Sequence, residues 1–309
     1  AAQLASALLL FVFAVLVLER ASRGPGRYAH SSSKYRQIRR MRFTGLRAAA
    51  ATAFCALPLL VGFLLPAATL AMMAIDSSQS LSLPRLATLA RNTMLIGVLA
   101  SLLAVGVALA AVYALKRDRR PVSRGLIRVA LLGYATPGVV IAVGILIAIG
   151  LFDHGVDGLA RRLFGVSTGL VLGGTILAVL YGCLARFFAV AYSPLEAGLA
   201  KIRPSLEDAA RTLGTAPAGV LMRLHLPLMR GSILSAGLLV FVDVMKELPA
   251  TMILRPFNFD TLATEAFQLA TTEQLDGAAL PSLIIVAAGL VPVVILCRAI
   301  GRARPGQGA

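Results

Sequence analysis

The sequence predicts an all-α, polytopic helical membrane protein, and three observations predict it. Of 309 residues, 58% are hydrophobic and 14% charged, with a mean hydropathy of +0.83, which lies outside the range of soluble domains. Seven apolar segments are candidates to cross a hydrocarbon core, which takes about 20 residues: near Leu4 to Leu18, Leu46 to Ile75, Thr93 to Leu115, Leu126 to Phe152, Gly169 to Phe188, Ile233 to Leu254 and Leu280 to Ile300. The basic residues, finally, crowd into alternate connections between those segments.

That charge pattern sets an orientation. Of 30 basic residues, nine lie between Arg20 and Arg47, six between Lys116 and Arg128, five between Ser193 and Arg230, and three from Arg298 onward. The other face holds Arg85, Arg91, Arg161, Arg162 and Arg255 against seven acids. An excess of Lys and Arg marks cytoplasmic loops, so the 193–230 loop and the C-terminus are expected in the cytoplasm. Because the net charge of +16 belongs to that pattern, it does not point to nucleic acid.

The chain opens AAQLASALLLFVFAVLVLERAS, already inside a hydrophobic run. Basic residues follow this run, whereas in a signal peptide they precede it. Residues 1–18 are therefore expected to be a membrane helix whose upstream neighbours are missing. Residues 19–45 form a basic cytoplasmic linker, read either as a solvated flexible connector or as a segment at the membrane surface, where basic residues meet anionic lipid. Six spans fill 46–300, and 301–309 is a cytoplasmic tail.

Within the six, Pro58 and Pro66 predict a kink in the first. Gly, Ala and Ser let the Thr93 to Leu115 helix approach its neighbours closely. Thr136-Pro137-Gly138, with Gly144 and Gly150, makes the next span bendable. The DHGVDGLARRLFGV run after it reads as a small external interfacial helix, and Arg186, at the inner end of the following span, is expected to snorkel to the headgroups. The Ile233 to Leu254 span contains FVDVMKELPAT. Intramembrane charges cost about 2.5 to 3.5 kcal/mol each, so Asp243, Lys246 and Glu247 should face a protein interior or a wet cavity. Helical spacing puts Asp243 and Glu247 on one face with Lys246 in reach. This trio reads either as a structural ion pair or as an acidic lining for a cation path, with Glu247 favoured beside helix-breaking Pro249. An external helix, Leu262 to Leu269, repeats apolar residues at three and four positions.

The sharpest pattern lies in the polar loop Ser193 to Arg230. Pro204 and Ser205 predict a helix start with Ser205 as N-cap, and Glu207 and Asp208 are favourable acids in its first turn. Ala209 and Ala210 keep one face thin enough for a partner's groove. Gly214 supplies a left-handed turn, Pro217 starts a second helix, and Pro227 is expected to interrupt it. Cys55, Cys183 and Cys297 stand alone, His30, His154 and His225 are scattered, and the sequence lacks any metal-site spacing, phosphate loop or nucleophile elbow. No catalytic residue, metal or cofactor is therefore expected in this chain.

Asp208-Ala209-Ala210, three residues, Gly214, nine residues, then Leu224-His225-Leu226-Pro227 resembles the EAA loop of ABC importer permeases, E-A-A, three residues, G, nine residues, I-x-L-P. Asp208 stands where Glu is usual, with Glu207 just before it, and Leu224 where Ile is usual. Two longer stretches, AVAYSPLEAGLAKIRPSLEDAARTLG and FVDVMKELPATMILRPFNFDTLATEAFQLA, are similar to the ferric-iron type of these permeases, which has two fused six-helix halves. The resemblance implies a type I importer half at 46–300, preceded by the last helix of a truncated first half. It implies an inner-membrane permease, not an enzyme, that passes ferric iron from a periplasmic iron-binding protein. Separate ABC ATPase subunits, using ATP and Mg, would dock on the loop through Glu207, Asp208, Ala209, Ala210, Gly214, Leu224, Leu226 and Pro227. The missing N-terminal permease half is a further implied partner. The alternatives are an ABC permease for another small solute, or a secondary transporter or channel driven by an ion gradient through Asp243 and Glu247.

Overall fold

The computed structural model describes residues 43–76, 81–118 and 120–302, with scattered helical positions between 7 and 18. The linker through residue 42 and the tail from 303 lie outside the described residues. Helices account for most of the described chain: α1 Gly45–Leu59, α2 Leu65–Asp76, α3 Leu83–Arg117, α4 Pro121–Leu131, α5 Gly138–Phe164, α6 Ile176–Ala200, α7 Pro204–Thr212, α8 Pro217–Val220, α9 Leu226–Met245, α10 Pro249–Leu254, α11 Leu262–Thr271 and α12 Leu275–Arg302. Six continuous rods among the described residues are long and apolar enough to cross a membrane.

Three of those rods, α3, α6 and α8–α9, pack against one another and form the centre. The reason is visible in α3, where Ile96, Ala100, Ala104, Ala108 and Val112 recur at every fourth position and are all buried. Small residues let the backbones close in: a Cβ on Gly97 would press on the Phe241 ring of α9. Ala178, Cys183, Phe187, Ala191 and Leu195 of α6 and Ala236, Val240 and Val244 of α9 complete this core. Around it, α10 packs on α5, and α12 packs on α2, α9 and α11. The α1–α2 rod buries none of its residues.

Several boundaries differ from expectation, each for a local reason. Leu126 to Phe152 is not one span. Residues 121–131 form α4, a separate amphipathic helix with Arg120, Arg124 and Arg128 on one stripe and exposed Val122, Leu126 and Val129 on another. A 3-10 turn at Leu132–Ala135 follows, and Pro137 breaks the backbone before α5. Nor is there an independent helix in the DHGVDGLARRLFGV run. It continues α5 to Phe164, where Gly165 turns at φ 68°. The loop after it is held by α5 itself: the Asp153 carboxylate accepts the N–H groups of Val171, Leu172 and Gly173 at 2.7–3.2 Å, and Asp157 accepts from Ser167, Thr168 and Gly169.

Pro227 does not interrupt its helix, and the first rod, where the sequence predicts a kink, continues through Pro66. Each proline is the second residue after a five-residue π turn, Leu221–His225 and Leu60–Leu64 respectively. The wider turn accommodates a ring that would otherwise collide with the preceding carbonyl. The helix predicted at Leu262 to Leu269 is present as α11, capped by reciprocal hydrogen bonds between Thr261 and Thr264. Its first turn is buried rather than lying on the surface. Arg85 of α3 pairs with Asp260 at 2.7 Å and with Glu265 at 2.8 Å, and Arg255 pairs with Asp260, which fastens α11 to the start of α3.

Candidate functional site

A polar constellation lies at each of the two sequence-predicted sites. The first surrounds α7. Its N-cap is Arg203 rather than Ser205, and no side chain caps it. Pro204 takes the first helical position, where its lack of an N–H costs nothing, and this moves the start two residues earlier. At the other end, Gly214 at φ 80° donates to Arg211 O at 2.9 Å while Thr215 N–H reaches Ala210 O at 3.1 Å. These two bonds make a Schellman motif, in which glycine best tolerates the left-handed residue.

Glu207, and not the motif-matched Asp208, is the buried acid of this loop. Its carboxylate meets Lys116 Nζ at 2.5 Å and Arg211 at 2.8 Å, and lies 3.8 Å from His225 Nε2. The Lys116 ammonium, hydrogen-bonded to it, holds the Glu207 carboxyl below the usual carboxylate range, although partial burial works the other way. His225 is completely buried, 3.5 Å from Lys116 Nζ, with the Tyr113 ring edge-on at 5.9 Å. Tyr113 in turn donates to Pro217 O at 2.9 Å. The last turn of α3 thus holds both helices of the loop. Asp208 and Ala209 are exposed, Ala210, Leu224 and Leu226 half-buried, and Pro227 exposed. Leu206 and Leu213 stand outward, 48% and 85% exposed, so the helix presents apolar side chains on the face away from its clamp.

The second constellation lies where α9 ends. The helix stops at Met245, so Asp243 and Glu247 do not share a helical face. Lys246 pairs with Asp243 at 3.0 Å, as the spacing predicts. Glu247, beyond the break, turns instead to Arg186 of α6 at 3.2 Å and accepts the Ala250 N–H at 3.0 Å. Arg186 therefore does not snorkel. Because α6 runs on to Ala200, Arg186 sits mid-helix, about 15 Å from the start at 1.5 Å per residue, with its side chain only 22% exposed. Tyr134, Arg186, Phe187, Asp243, Lys246, Glu247 and Pro249 line a cavity of about 420 Å³. Among the described residues no cluster of three His, Cys, Asp or Glu is placed to hold a metal.

Sequence reasoning missed Lys116, Tyr113 and His225 at the first site and Arg186 and Tyr134 at the second. Lys116 carried a faint signal as the first charge after a long apolar run. His225 occupies the variable position of the Leu-x-Leu-Pro pattern and carried none.

Comparison with known proteins agrees with this architecture. Against solved structures, a bacterial alginate ABC transporter in complex with an alginate-bound periplasmic protein contains a chain that superposes with a TM-score of 0.61 over 85% of this chain and 96% of its own, at 13% identity. A second alginate-import ABC transporter structure gives 0.62 over 84% and 96%. Among curated proteins, the Fe(3+)-transport system permease protein FbpB 2 of Haemophilus influenzae is 26% identical over 205 residues, 66% of this chain. The chain spans 37% of that protein's length. The putative 2-aminoethylphosphonate transport system permease protein PhnV of Salmonella typhimurium is 31% identical over 207 residues, 67% of this chain and 72% of the relative. Residues 106–304, which include both constellations, match the model of the family described as binding-protein-dependent transport system inner membrane component, and the chain belongs to that family of multi-pass ABC importer permeases, which are transport components rather than enzymes.

Proposed function

We propose that this chain forms half of the translocation path of an ATP-driven importer whose cargo is ferric iron handed over by a periplasmic binding protein. In this reading α7 lies in the cytoplasm, as does the C-terminus, and a separate ATPase using ATP and Mg docks on it. One observation carries the coupling role: α7 is clamped to the end of a spanning helix through Lys116 and Glu207 while Leu206, Ala209 and Leu213 stay exposed. A push on the exposed face passes into α3 with little give, which is what conversion of ATPase movement into gate movement requires. The path itself is assigned to the Asp243, Lys246 and Glu247 cavity. A second permease half, belonging to the same longer chain, completes the pore; the 37% coverage of the iron relative supports this.

The iron assignment is supported by the FVDVMKELPAT and LRPFNFDTLA stretches and by the iron-permease relative. A second cargo has an observation of its own: the cavity alternates Asp243 and Glu247 with Lys246 and Arg186, a lining suited to a zwitterion such as the 2-aminoethylphosphonate of the second relative's name. Both are tested together in cells lacking the complete permease gene, by restoring it with its ATPase and binding protein and following radiolabelled ferric iron and 2-aminoethylphosphonate. The iron reading expects iron uptake that stops when ATP hydrolysis is blocked. Phosphonate uptake without iron uptake would reassign the cargo and leave the importer reading standing. Uptake of either that persists without ATP hydrolysis but collapses with an ionophore would remove the ATP-driven mechanism.

A further inference from the structure

Around the cavity at the α9–α10 break the charges are matched, but the hydrogen-bond donors are not. Asp243 has Lys246 at 3.0 Å. Glu247 has the Ala250 N–H on one oxygen and Arg186 Nε at 3.2 Å from the other. Both carboxylates are thus engaged. A guanidinium, however, carries five N–H donors in one plane, and the enclosed Nε and Nη1 of Arg186 make no aligned hydrogen bond among the described residues. Burying donors unpaired is unfavourable, and an acceptor that reaches them as the side chain shifts toward the cavity relieves it.

The position of that guanidinium is built in. Arg186 rises from the middle of α6, a packed central helix, and its head lies over the start of α5. There Gly138 leaves the space: a Cβ at this position would collide with Nη1. Lys246, 63% exposed, brings a second cation to the same wall, and Tyr134 brings a hydroxyl. A bare metal cation entering here meets two positive charges and two carboxylates already paired.

We propose that this cavity is the site for an oxyanion group of the cargo, a carboxylate, phosphate or phosphonate, gripped by Arg186 with Lys246 as the second cation. The inference rests on reading the chain as a translocation path, and it narrows the cargo class of that path. The oxyanion arrives either as part of a free solute or as a ligand on a metal ion, since planar guanidinium donors match either.

Thermal unfolding of the complete permease purified in detergent tests this, with methylphosphonate, citrate and ferric citrate as probes and methylammonium as the cation control. Methylphosphonate or citrate should raise the unfolding temperature saturably if the cargo is a free oxyanion. Ferric citrate alone should do so if the oxyanion comes on a metal. The double substitution Arg186→Gln with Glu247→Gln removes both partners and strands no buried charge. It should weaken the apparent Kd about 10- to 100-fold, the loss of one charge-assisted bond or a bidentate pair, and Lys246→Gln should weaken it about 3- to 10-fold. The proposal is overturned if no oxyanion probe shifts the curve, if methylammonium matches them, or if the double variant binds as tightly as the parent. Binding without ATP-driven uptake would sink the transport reading and leave the site, whereas uptake with unaltered affinity in the double variant would do the reverse.

Discussion

At residue scale, the Glu207 and Lys116 pair decides how α7 is held. The Glu207 carboxyl is depressed in the folded protein, chiefly by the Lys116 hydrogen bond. A group depressed on folding stabilises above its unfolded value, about 4.3 for Glu, and loses that contribution as pH falls through its folded value. Hydrogen exchange of residues 204–212 should therefore stay protected at neutral pH and lose protection only in acid below about pH 4. Protection that instead fades between pH 6 and 8 would mean that Glu207 does not hold the helix. Lys116→Ala should make the same segment several-fold more sensitive to protease at pH 7, because it removes the tie from Glu207 to α3 and leaves the carboxylate only Arg211 of its own helix. At the opposite end of the bundle, Asp153→Asn should loosen the 166–175 loop by about 1.5–3 kcal/mol, the worth of hydrogen bonds to a charged acceptor, read as faster exchange at Val171, Leu172 and Gly173.

At the scale of elements, the turn after α7 offers the sharpest test of coupling. Gly214→Val forces a β-branched residue into φ 80°, at a cost of about 1–2 kcal/mol. Membrane insertion should survive while ATP-driven uptake falls severalfold; normal uptake would count against α7 as the docking helix. The π turn at Leu221–His225 yields a second test. Deleting Met222 removes the extra residue and rotates α8 by about 100° relative to α9, so the Tyr113 bond to Pro217 should break and uptake should fail. The spans and α7 were legible because apolar runs, Pro, Gly and acidic first turns act locally. The π turns were not, because a proline predicts that a helix must yield without saying how. Arg186 reaching Glu247 was not legible either, because the pair joins two helices distant in sequence, and only the break after Met245 turns Glu247 toward α6.

Across the whole molecule, the buried centre is narrow and the periphery open. Core residues concentrate on α3, α6 and α9, while α1–α2 buries nothing. Local pattern predicted the six rods that lie within the described residues. It could not predict which three form the centre, because Leu and Val on a lipid-facing rod look the same as those in the core. Only the four-residue repeat of small side chains on α3 hinted at close packing.

One consequence follows from the length of α3. Arg85 near one tip is tied to Asp260 and Glu265, and Lys116 near the other is tied to Glu207, about 46 Å apart along the axis at 1.5 Å per residue. Between them the buried Ala100, Ala104 and Ala108 hold the rod closely against its neighbours near its middle, the natural point about which it would turn. Rocking by 10° there displaces each tip by about 4 Å in opposite senses. One lever arm carries the salt-bridged Arg85 corner and the other carries the α7 clamp, so spin labels placed near the two tips should move in antiphase during a transport cycle.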